Sequence, residues 1–448
     1  MGERALMTSP ATTTNIADLV ETYGSPLYVY DLDETEAAAR SLRGALPQPS
    51  TLYYSLKANP HPLLARALRR AGCHAEVSSQ GELAAALEAG FAGDEILYTG
   101  PGKTRLEIAD AVCAGVLRFS VESAGDYRRV AAVAAERGVT AQCLLRLNAS
   151  ESHGSSGLRM TGTSSQFGTD SAAVIADPEQ FAPRPGARVI GMHFFALSNA
   201  RDPESLLASL VSSIAEAARV HQACGVPLAY VDLGGGFAAP YAAEGARPDY
   251  GALREPLEAA LDEHLPDWRN GTTTIAFESG RHLVGGCGQL VCTVSDIKQS
   301  RERTYVVLDT GIHHLGGLAG LGRLLPMRAS TVPARTGGVP GEPDVPYGAA
   351  DDRAVLVGPL CTPADVLARD ASLPRVGRDG LLTVPNVGAY GLTASLIGFL
   401  SRPVAAEIVL AAGATLDASR IELRRTALAP VTGPRDSELA DCQQEFTK

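Results

Sequence analysis

The 448-residue sequence has no apolar run that approaches the roughly 20 residues needed to cross a membrane. Its first residues, MGERALMTSPATTT, lack the apolar centre of a secretory signal. Both absences predict a cytoplasmic protein with no membrane partner.

The eight cysteines occur singly, with no C-x-x-C pair and no histidine at metal-ligand spacing. A disulfide frame or a zinc site is therefore not expected. His313 and His314 are not interpreted as metal ligands, because adjacent residues seldom point to one ion. The formal net charge of −11 argues against a broad nucleic-acid surface. The sequence thus predicts no metal and no nucleic-acid partner, and favours a small molecule or another protein.

The chain does contain enough apolar residues, 45% of the total, to bury a large core. Between about residues 50 and 285, short β-type runs alternate with segments of helical period that end in Gly. The eight β-type runs contain LYYSL, AEVSS, EILYT, LRFSV, CLLRLN, VIGMHFF, LAYVDL and TTIAFES. Eight such units predict an α/β fold, a (β/α)8 TIM-type barrel.

A second, mostly β domain is predicted after Gly285, where strand-like runs follow one another without regular helices. These runs are QLVCTVSDI, TYVVLDTG, AVLVGPL, LLTVPNV, AEIVLA and RIELRR. PLYVYDL, near the N-terminus, is expected to add a strand to this domain. The predicted division is 1–34, 35–285 and 286–448. Residues 327–352 are expected to form a long loop, and the two ends to be loosely ordered.

Lys57 directly follows an apolar strand in YYSLKANPHP, with no acid immediately beside it. Burial at such a position lowers the pKa of an amine and favours the neutral form, which forms a Schiff base with an aldehyde. A strand-end lysine is also often a snorkelling residue whose ammonium reaches water. Lys57 alone leaves both interpretations open.

Residues suited to an anion follow strands seven and eight, where barrels commonly hold a phosphate. Gly234, Gly235 and Gly236 let backbone amides approach a phosphate, although a triple glycine by itself more often marks a tight turn. Glu278 and Arg281 come after strand eight in FESGRH. Combined with a lysine after strand one, these features are hard to obtain by chance.

The motifs YYSLKAN, AEVSSQGEL, LRLN, SSQFG, GMHFFALSN, VDLGGGF, FESGR, GPLC-x-x-x-D and NVGAY occur in this order. In this the chain resembles the barrel-fold (fold type III) decarboxylases that use pyridoxal 5′-phosphate, such as diaminopimelate and ornithine decarboxylases. The resemblance runs from about Tyr23 to Leu410. It implies that Lys57 binds the cofactor covalently and that Glu278 pairs with the pyridine nitrogen. It further implies a set of phosphate-binding residues, namely Ser198, the Gly234, Gly235 and Gly236 loop, Arg281 and Tyr390.

Three other residues are assigned through the same resemblance. Glu76 matches an acidic position near the lysine. Cys361 in GPLCTPAD matches a cysteine that reaches the active site of a partner subunit and protonates the substrate carbon after decarboxylation. A lone cysteine is more commonly a packing thiol. With the surrounding motif, Cys361 implies a homodimer with shared active sites, and Asp365 is the acid four residues on.

The chain departs from the better-known members at positions that bear on the substrate. Phe195 stands where they stack a histidine on the cofactor ring, and it offers a face but no charge. His193, earlier in the same motif, is interpreted as a structural hydrogen bonder. Thr362 and Pro363 follow the cysteine where an acid would bind a distal amine. The expected substrate contacts are Thr362 and Asp365.

The stretch GIHHLGGLAGLGRLL lacks the Arg-Pro motif that binds a distal carboxylate, which suggests room for a long uncharged extension. This version resembles a subgroup that acts on amino acids tethered to an acyl carrier protein. Of its aspartyl or 3-methylaspartyl and glutamyl types, we favour the aspartyl type, which makes β-amino acid starter units in antibiotic biosynthesis.

Alternatives from this sequence are a free amino acid decarboxylase, a racemase and a non-catalytic cofactor carrier. An acidic carrier protein would need basic residues to dock on, although ordinary surface charge explains such residues equally well. The candidates are Lys298, Arg301, Arg303, Arg323 and Arg328.

Overall fold

The computed structural model describes residues 14–148, 158–159, 166–195, 197–316, 329–333, 353–374 and 376–426. Its helices are α1 (Ile16–Tyr23), α2 (Leu32–Ala45), α3 (Pro62–Arg70), α4 (Gln80–Glu88), α5 (Arg105–Cys113), α6 (Ala124–Glu136), α7 (Ser171–Ala176), α8 (Pro203–Cys224), α9 (Arg254–His264) and α10 (Arg281–Val284).

Its strands are β1 (Leu27–Asp31), β2 (Thr51–Ser55), β3 (His74–Val77), β4 (Ile96–Tyr98), β5 (Arg118–Val121), β6 (Ala141–Asn148), β7 (Leu158–Arg159), β8 (Thr169–Asp170), β9 (Ala187–Phe194), β10 (Leu197–Ser198), β11 (Tyr230–Asp232), β12 (Thr274–Ser279), β13 (Gly288–Ser300), β14 (Arg303–Leu308), β15 (Val332–Pro333), β16 (Arg353–Val357), β17 (Val366–Ser372), β18 (Leu381–Val384), β19 (Ala406–Ala411) and β20 (Ala414–Arg420).

Eight strands pair in parallel and close into a barrel, in the order β2, β3, β4, β5, β6, β9, β11 and β12. These are the eight strands predicted from the sequence, so the barrel is confirmed. Side chains fill its interior, and the hydroxyls of Tyr53 and Tyr230 share a hydrogen bond of 2.7 Å there. A filled barrel has no room for a ligand along its axis, so a site has to lie at a strand end.

Helices cover the outside of the barrel, as their sequence period predicts. The N-cap residues of α4, α5 and α6 are Ser79, Thr104 and Ser123. The side-chain oxygen of each accepts a hydrogen bond from a backbone amide of the first turn. These N-caps fix the turn that follows β3, β4 and β5. Polar residues at the strand ends are thereby held at one face of the barrel.

The remaining large sheet is the β domain, in the order β17, β16, β14, β13, β1, β19 and β20, with β18 also paired to β13. Strand β1 lies between β13, to which it is antiparallel, and β19, to which it is parallel. Four of its five residues are buried. The expected contribution of the N-terminal segment to the β domain is therefore confirmed.

Two features of the β domain differ from the sequence prediction. RIELRR was assigned to a strand, but the last strand among the described residues is β20, which ends at Arg420 and pairs with β19 across a tight turn. Leu423 beyond it is 58% exposed. A segment of alternating apolar and polar residues forms a strand only where the edge of a neighbouring strand can pair with it. Strand β17 was missed because an edge strand carries exposed polar residues.

Much of the predicted 327–352 loop lies outside the described residues, as do Arg323, Arg328 and most of the two ends. Within that loop, Val332–Pro333 pairs with β18. In the part of the chain that the structure describes, no helix is long and apolar enough to cross a membrane.

Candidate active site

Lys57 lies in a single 3-10 turn, Leu56–Ala58, at the C-terminal end of β2. Its two neighbours in this turn are fully buried, whereas 41% of the Lys57 side chain is exposed. The strand thus ends by turning one amine out of an apolar wall towards the mouth of the barrel.

Glu76 approaches the lysine from the next strand, β3. The Nζ atom of Lys57 is 3.5 Å from both carboxylate oxygens of Glu76, which is itself 3% exposed. Burial acts to lower the pKa of Lys57, but Glu76 and Glu278 raise it, and the net result is a pKa above the ordinary value. Burial also acts to raise the pKa of Glu76, yet Lys57 and hydrogen bonds from hydroxyls lower it to about 2. The expectation of a lowered lysine pKa was therefore wrong, because the acid is distant in sequence but adjacent in the barrel.

The residues predicted after the other strands meet Lys57 in one pocket. Its lining includes Ser55, Lys57, Phe195, Ser198, Asn199, Gly235, Gly236, Glu278, Ser279, Arg281 and Tyr390. Gly234 lies beside Phe195 at the edge of the same region. The predicted cofactor residues thus converge, at the C-terminal ends of the strands.

The three glycines after β11 are required by close packing. A Cβ atom on Gly235 would lie 2.5 Å from the carbonyl oxygen of Glu278, and one on Gly236 would lie 2.9 Å from that of Leu197. Gly236 also has a φ of 112°, which other residues rarely adopt. The loop can therefore pass close to the pocket only with glycine.

Tyr390 reaches the pocket from a segment that follows β18. Its backbone amide donates a hydrogen bond of 2.7 Å to the carbonyl oxygen of Ala58. Its ring lies 4.6 Å from the guanidinium carbon of Arg281. Tyr390 has a φ of 54°, an unfavourable conformation that neighbouring contacts have to hold. The β domain therefore completes the pocket wall.

Phe195 lies beside the amine, with its ring centroid 5.3 Å from Lys57 Nζ. Behind it, the guanidinium of Arg146 is 5.7 Å from the same ring and 3.4 Å from Glu122. Arg146 was not identified from the sequence, although LRLN contains it. Its position at a strand end was the available signal.

His193, Asp232 and Glu278 are buried together at the ends of β9, β11 and β12. His193 Nε2 is 3.2 Å from Glu278 Oε1, and its Nδ1 is hydrogen-bonded to Ser120 Oγ at 2.7 Å. From the sequence, His193 was interpreted as a structural hydrogen bonder without a catalytic role, and Asp232 was not identified. An acid immediately before the triple glycine was the signal for it.

Cys361 is exposed and lies outside the Lys57 pocket. Asp365, four residues later, is buried, and its two carboxylate oxygens accept hydrogen bonds of 2.8 Å from the amides of Ile312 and Leu360. Through these hydrogen bonds the carboxylate stabilises the loop that contains Cys361 and Thr362. We therefore replace the expected substrate contact of Asp365 with the proposal that it positions Cys361 and Thr362.

The pocket fits pyridoxal phosphate in its donor set. It combines an amine for the aldehyde, a buried carboxylate for the ring nitrogen, and a hydroxyl, a glycine loop and a guanidinium for the phosphate. Barrel and pocket together define a barrel-type pyridoxal phosphate enzyme.

Comparison with known sequences gives the family. Residues 32–285 match the model described as pyridoxal-dependent decarboxylase, pyridoxal binding domain, and the chain belongs to this family. It is a pyridoxal-phosphate-dependent decarboxylase.

Three relatives illustrate the range of similarity. The L-glutamyl-[BtrI acyl-carrier protein] decarboxylase of Niallia circulans is 31% identical over 398 residues, which cover 88% of this chain and 90% of that protein. The diaminopimelate decarboxylase of Aquifex aeolicus is 28% identical, covering 89% and 90%. The structure of diaminopimelate decarboxylase from Helicobacter pylori complexed with L-lysine superposes with a TM-score of 0.74, at 25% identity, covering 88% and 94%.

Proposed function

We propose that this enzyme removes the α-carboxylate of an acidic amino acid whose side-chain carboxyl is joined to an acyl carrier protein. The observation that carries the proposal is the residue after the cysteine, Thr362, which leaves no acid to bind a distal ammonium. The similarity to a glutamyl-carrier decarboxylase supports the same substrate class.

The point of attachment follows from the chemistry. Bound pyridoxal phosphate supplies an electron sink for the electron pair that remains when carbon dioxide leaves. Replacement of Lys57 by the substrate requires a free α-amine, and decarboxylation requires a free α-carboxylate. Only the side-chain carboxyl remains for a thioester, and a thioester carries no charge. An uncharged distal group agrees with a site that presents Thr362 and Pro363.

The roles that we propose for the chain's own groups follow from their positions. Lys57 would hold the cofactor through its aldehyde carbon and would be released as a free amine when the substrate amine takes its place, while Glu76 stays ionised beside it. Ser198, Arg281 and Tyr390 hold the phosphate, and the face of Phe195 stacks on the ring. Glu278 pairs with the ring nitrogen.

Cys361 is proposed to supply the proton that replaces carbon dioxide at Cα. Because Cys361 lies outside the pocket of its own chain, this role requires a homodimer in which each loop reaches the partner's pocket. Thr362 accompanies it and is the proposed substrate contact.

The test is incubation of the enzyme with aspartyl-, 3-methylaspartyl- and glutamyl-carrier proteins, followed by intact-protein mass spectrometry. A loss of one carbon dioxide from a carrier-bound substrate supports the proposal, and the carrier that reacts fastest identifies the side chain. The sequence favours the aspartyl type, and the Niallia circulans relative favours the glutamyl type. The yellow colour of the purified enzyme shows that the cofactor is bound. This colour should be lost in Lys57→Ala.

The second candidate is decarboxylation of free diaminopimelate, favoured by the similarity to diaminopimelate decarboxylases. Turnover of free diaminopimelate with no reaction on any carrier would reject the carrier-bound substrate. Glu278→Ala should keep the fold and lose either decarboxylase activity. Such a loss would show that the reaction depends on this pocket.

A further inference from the structure

Three titratable side chains are buried together beneath the pocket. His193, Asp232 and Glu278 are each at most 1% exposed. One ligand atom from each lies within 4.8 Å of the other two. They come from three neighbouring strands, β9, β11 and β12, so the barrel itself fixes their distances.

The cluster is short of hydrogen-bond donors. Asp232 Oδ1 accepts a bond of 2.9 Å from the amide of Gly234. Asp232 Oδ2 and Glu278 Oε1 have no well-aligned hydrogen-bond donor, although Glu278 Oε1 is in ion-pair contact with His193. Two buried carboxyls therefore face one imidazole, and a buried charge needs compensation.

The pKa directions agree with a missing positive charge. Burial raises the pKa of Asp232, and Glu278 raises it further, to about 7. Burial acts to lower the pKa of His193, but Glu278 and Asp232 produce a net increase. Other charged groups around the cluster are Arg146 on β6, Glu76 on β3 and Lys57, which is paired with Glu76. With both carboxyls ionised and the imidazole protonated, the cluster has a net charge of −1.

We propose that His193 and Asp232 complete, with Glu278, a charge-balanced receptor for the protonated ring nitrogen of pyridoxal phosphate. The proposal rests on the proposed role of Glu278. His193 and Asp232 act as positioning residues, because they reach the cofactor through Glu278. The ring nitrogen supplies the one positive charge that makes the cluster neutral, and Asp232 releases its proton when the cofactor binds.

Charge balance makes opposite predictions for the two single variants. In Asp232→Asn, the cluster has one negative and two positive charges when His193 and the ring nitrogen are both protonated. The two cations then compete for Glu278, so protonation of the ring nitrogen becomes less favourable. In His193→Gln, Asp232 keeps its proton, and a neutral pair of Glu278 and ring nitrogen remains. The double variant is also neutral, so it restores what Asp232→Asn alone loses.

The first readout is the 15N chemical shift of cofactor labelled at the ring nitrogen, titrated with pH in the holoenzyme. We expect the midpoint of ring-nitrogen protonation to fall by about 1 to 3 pH units in Asp232→Asn. The midpoint is expected to stay close to the wild-type value in His193→Gln. In the double variant, most of the Asp232→Asn shift is expected to be recovered. Damage to packing would accumulate in the double variant and would not be reversed by a second substitution.

The second readout is the number of protons released when the cofactor-free enzyme binds cofactor, from calorimetry in buffers of different ionisation enthalpy. Near pH 7, His193→Gln should release fewer protons than the wild type, because Asp232 keeps its proton when the cofactor binds. His74→Gln is the matched control, since His74 lies at the opposite, N-terminal end of β3. It should leave both readouts unchanged.

A double variant that shifts the midpoint further than Asp232→Asn would overturn the proposal, as would an unchanged midpoint in Asp232→Asn. Neither readout uses substrate. A failure of the carrier-protein assay therefore rejects the proposed substrate without affecting this test.

Discussion

The Nζ atom of Lys57 lies 3.5 Å from both carboxylate oxygens of Glu76. The two residues are 19 positions apart in sequence, Lys57 in the turn after β2 and Glu76 on the neighbouring strand β3. The carboxylate is also held by a hydrogen bond of 2.6 Å from the Thr99 hydroxyl. The lysine therefore meets its cofactor as an ammonium beside a fixed carboxylate. A base has to remove a proton before the amine can react.

Glu76→Gln should lower the pKa of Lys57, because it removes the nearest negative charge and leaves burial to act. The pH midpoint for cofactor capture by the cofactor-free enzyme is expected to fall by about 1 to 3 units. Stopped-flow absorbance against pH measures it. Glu95→Gln, which removes a surface carboxylate paired with Arg69, is the control. An unchanged midpoint in Glu76→Gln would show that Glu76 does not set the charge of Lys57.

Arg281→Met should weaken cofactor binding, because it removes the guanidinium from the proposed phosphate site. Hydrogen bonds to charged groups contribute about 1.5 to 3 kcal/mol, so we expect the Kd to rise roughly 10- to 100-fold. Fluorescence titration of cofactor-free enzyme measures it. Arg188→Met, at the exposed start of β9, should bind cofactor as the wild type does. Equal affinities of the two variants would remove Arg281 from the phosphate site.

Mixing two inactive variants should restore activity if the active sites are shared. Lys57→Ala lacks the cofactor lysine, and Cys361→Ala lacks the proposed proton donor. A mixed dimer contains one pocket with both residues intact. Decarboxylase activity should appear after the variants are unfolded and refolded together, and not when they are refolded separately. If co-refolded variants stay inactive although mixed dimers are detected, Cys361 does not act across the interface.

The β13–β14 hairpin is a testable docking surface for an acidic carrier protein. Lys298, Arg301 and Arg303 are all exposed there. Changing the three to Glu should raise the KM for the carrier-bound substrate about tenfold or more and leave kcat unchanged, with the difference shrinking at high salt. Arg40→Glu, Arg70→Glu and Arg105→Glu combined, on barrel helices, is the charge-matched control. An equal effect of both sets would indicate only a response to net charge.

Glu407 should make the stability of the β domain depend on pH. It is 5% exposed on β19 and accepts a hydrogen bond of 3.0 Å from the Tyr30 hydroxyl. Burial, with a smaller contribution from Asp417, raises its pKa to about 7. A raised pKa means that the folded chain binds the proton more tightly, so this contribution is complete below about pH 4 and is lost as pH rises to about 7.

Denaturant unfolding of wild type and Glu407→Gln at several pH values measures this contribution. The stability of the wild type relative to Glu407→Gln should fall by about 3 kcal/mol between pH 4.5 and 7. Glu422→Gln, which is exposed, should show no such trend. A constant difference would mean that the pKa of Glu407 is the same in the folded and the unfolded chain.

The eight barrel strands and the helices between them were determined by the sequence alone. Their signals are local, since a buried parallel strand is a short apolar run and a covering helix repeats its apolar residues every three or four positions. The position of Lys57, the glycine loop and Arg281 at strand ends was equally readable, because a barrel directs every strand end to one rim. RIELRR was misassigned because pairing depends on a neighbouring edge that lies far away in sequence.

Only the tertiary structure decided how these groups act on one another. Coulomb interactions depend on distances in space, and closure of the barrel brings Glu76 to Lys57 and places His193 and Asp232 against Glu278. The fold also determines the surroundings of Asp365, whose carboxylate oxygens accept hydrogen bonds from the backbone amides of Ile312 and Leu360. The sequence determined which chemical groups stand at the mouth of the barrel. The fold determined their charges, because it set which of them are buried together.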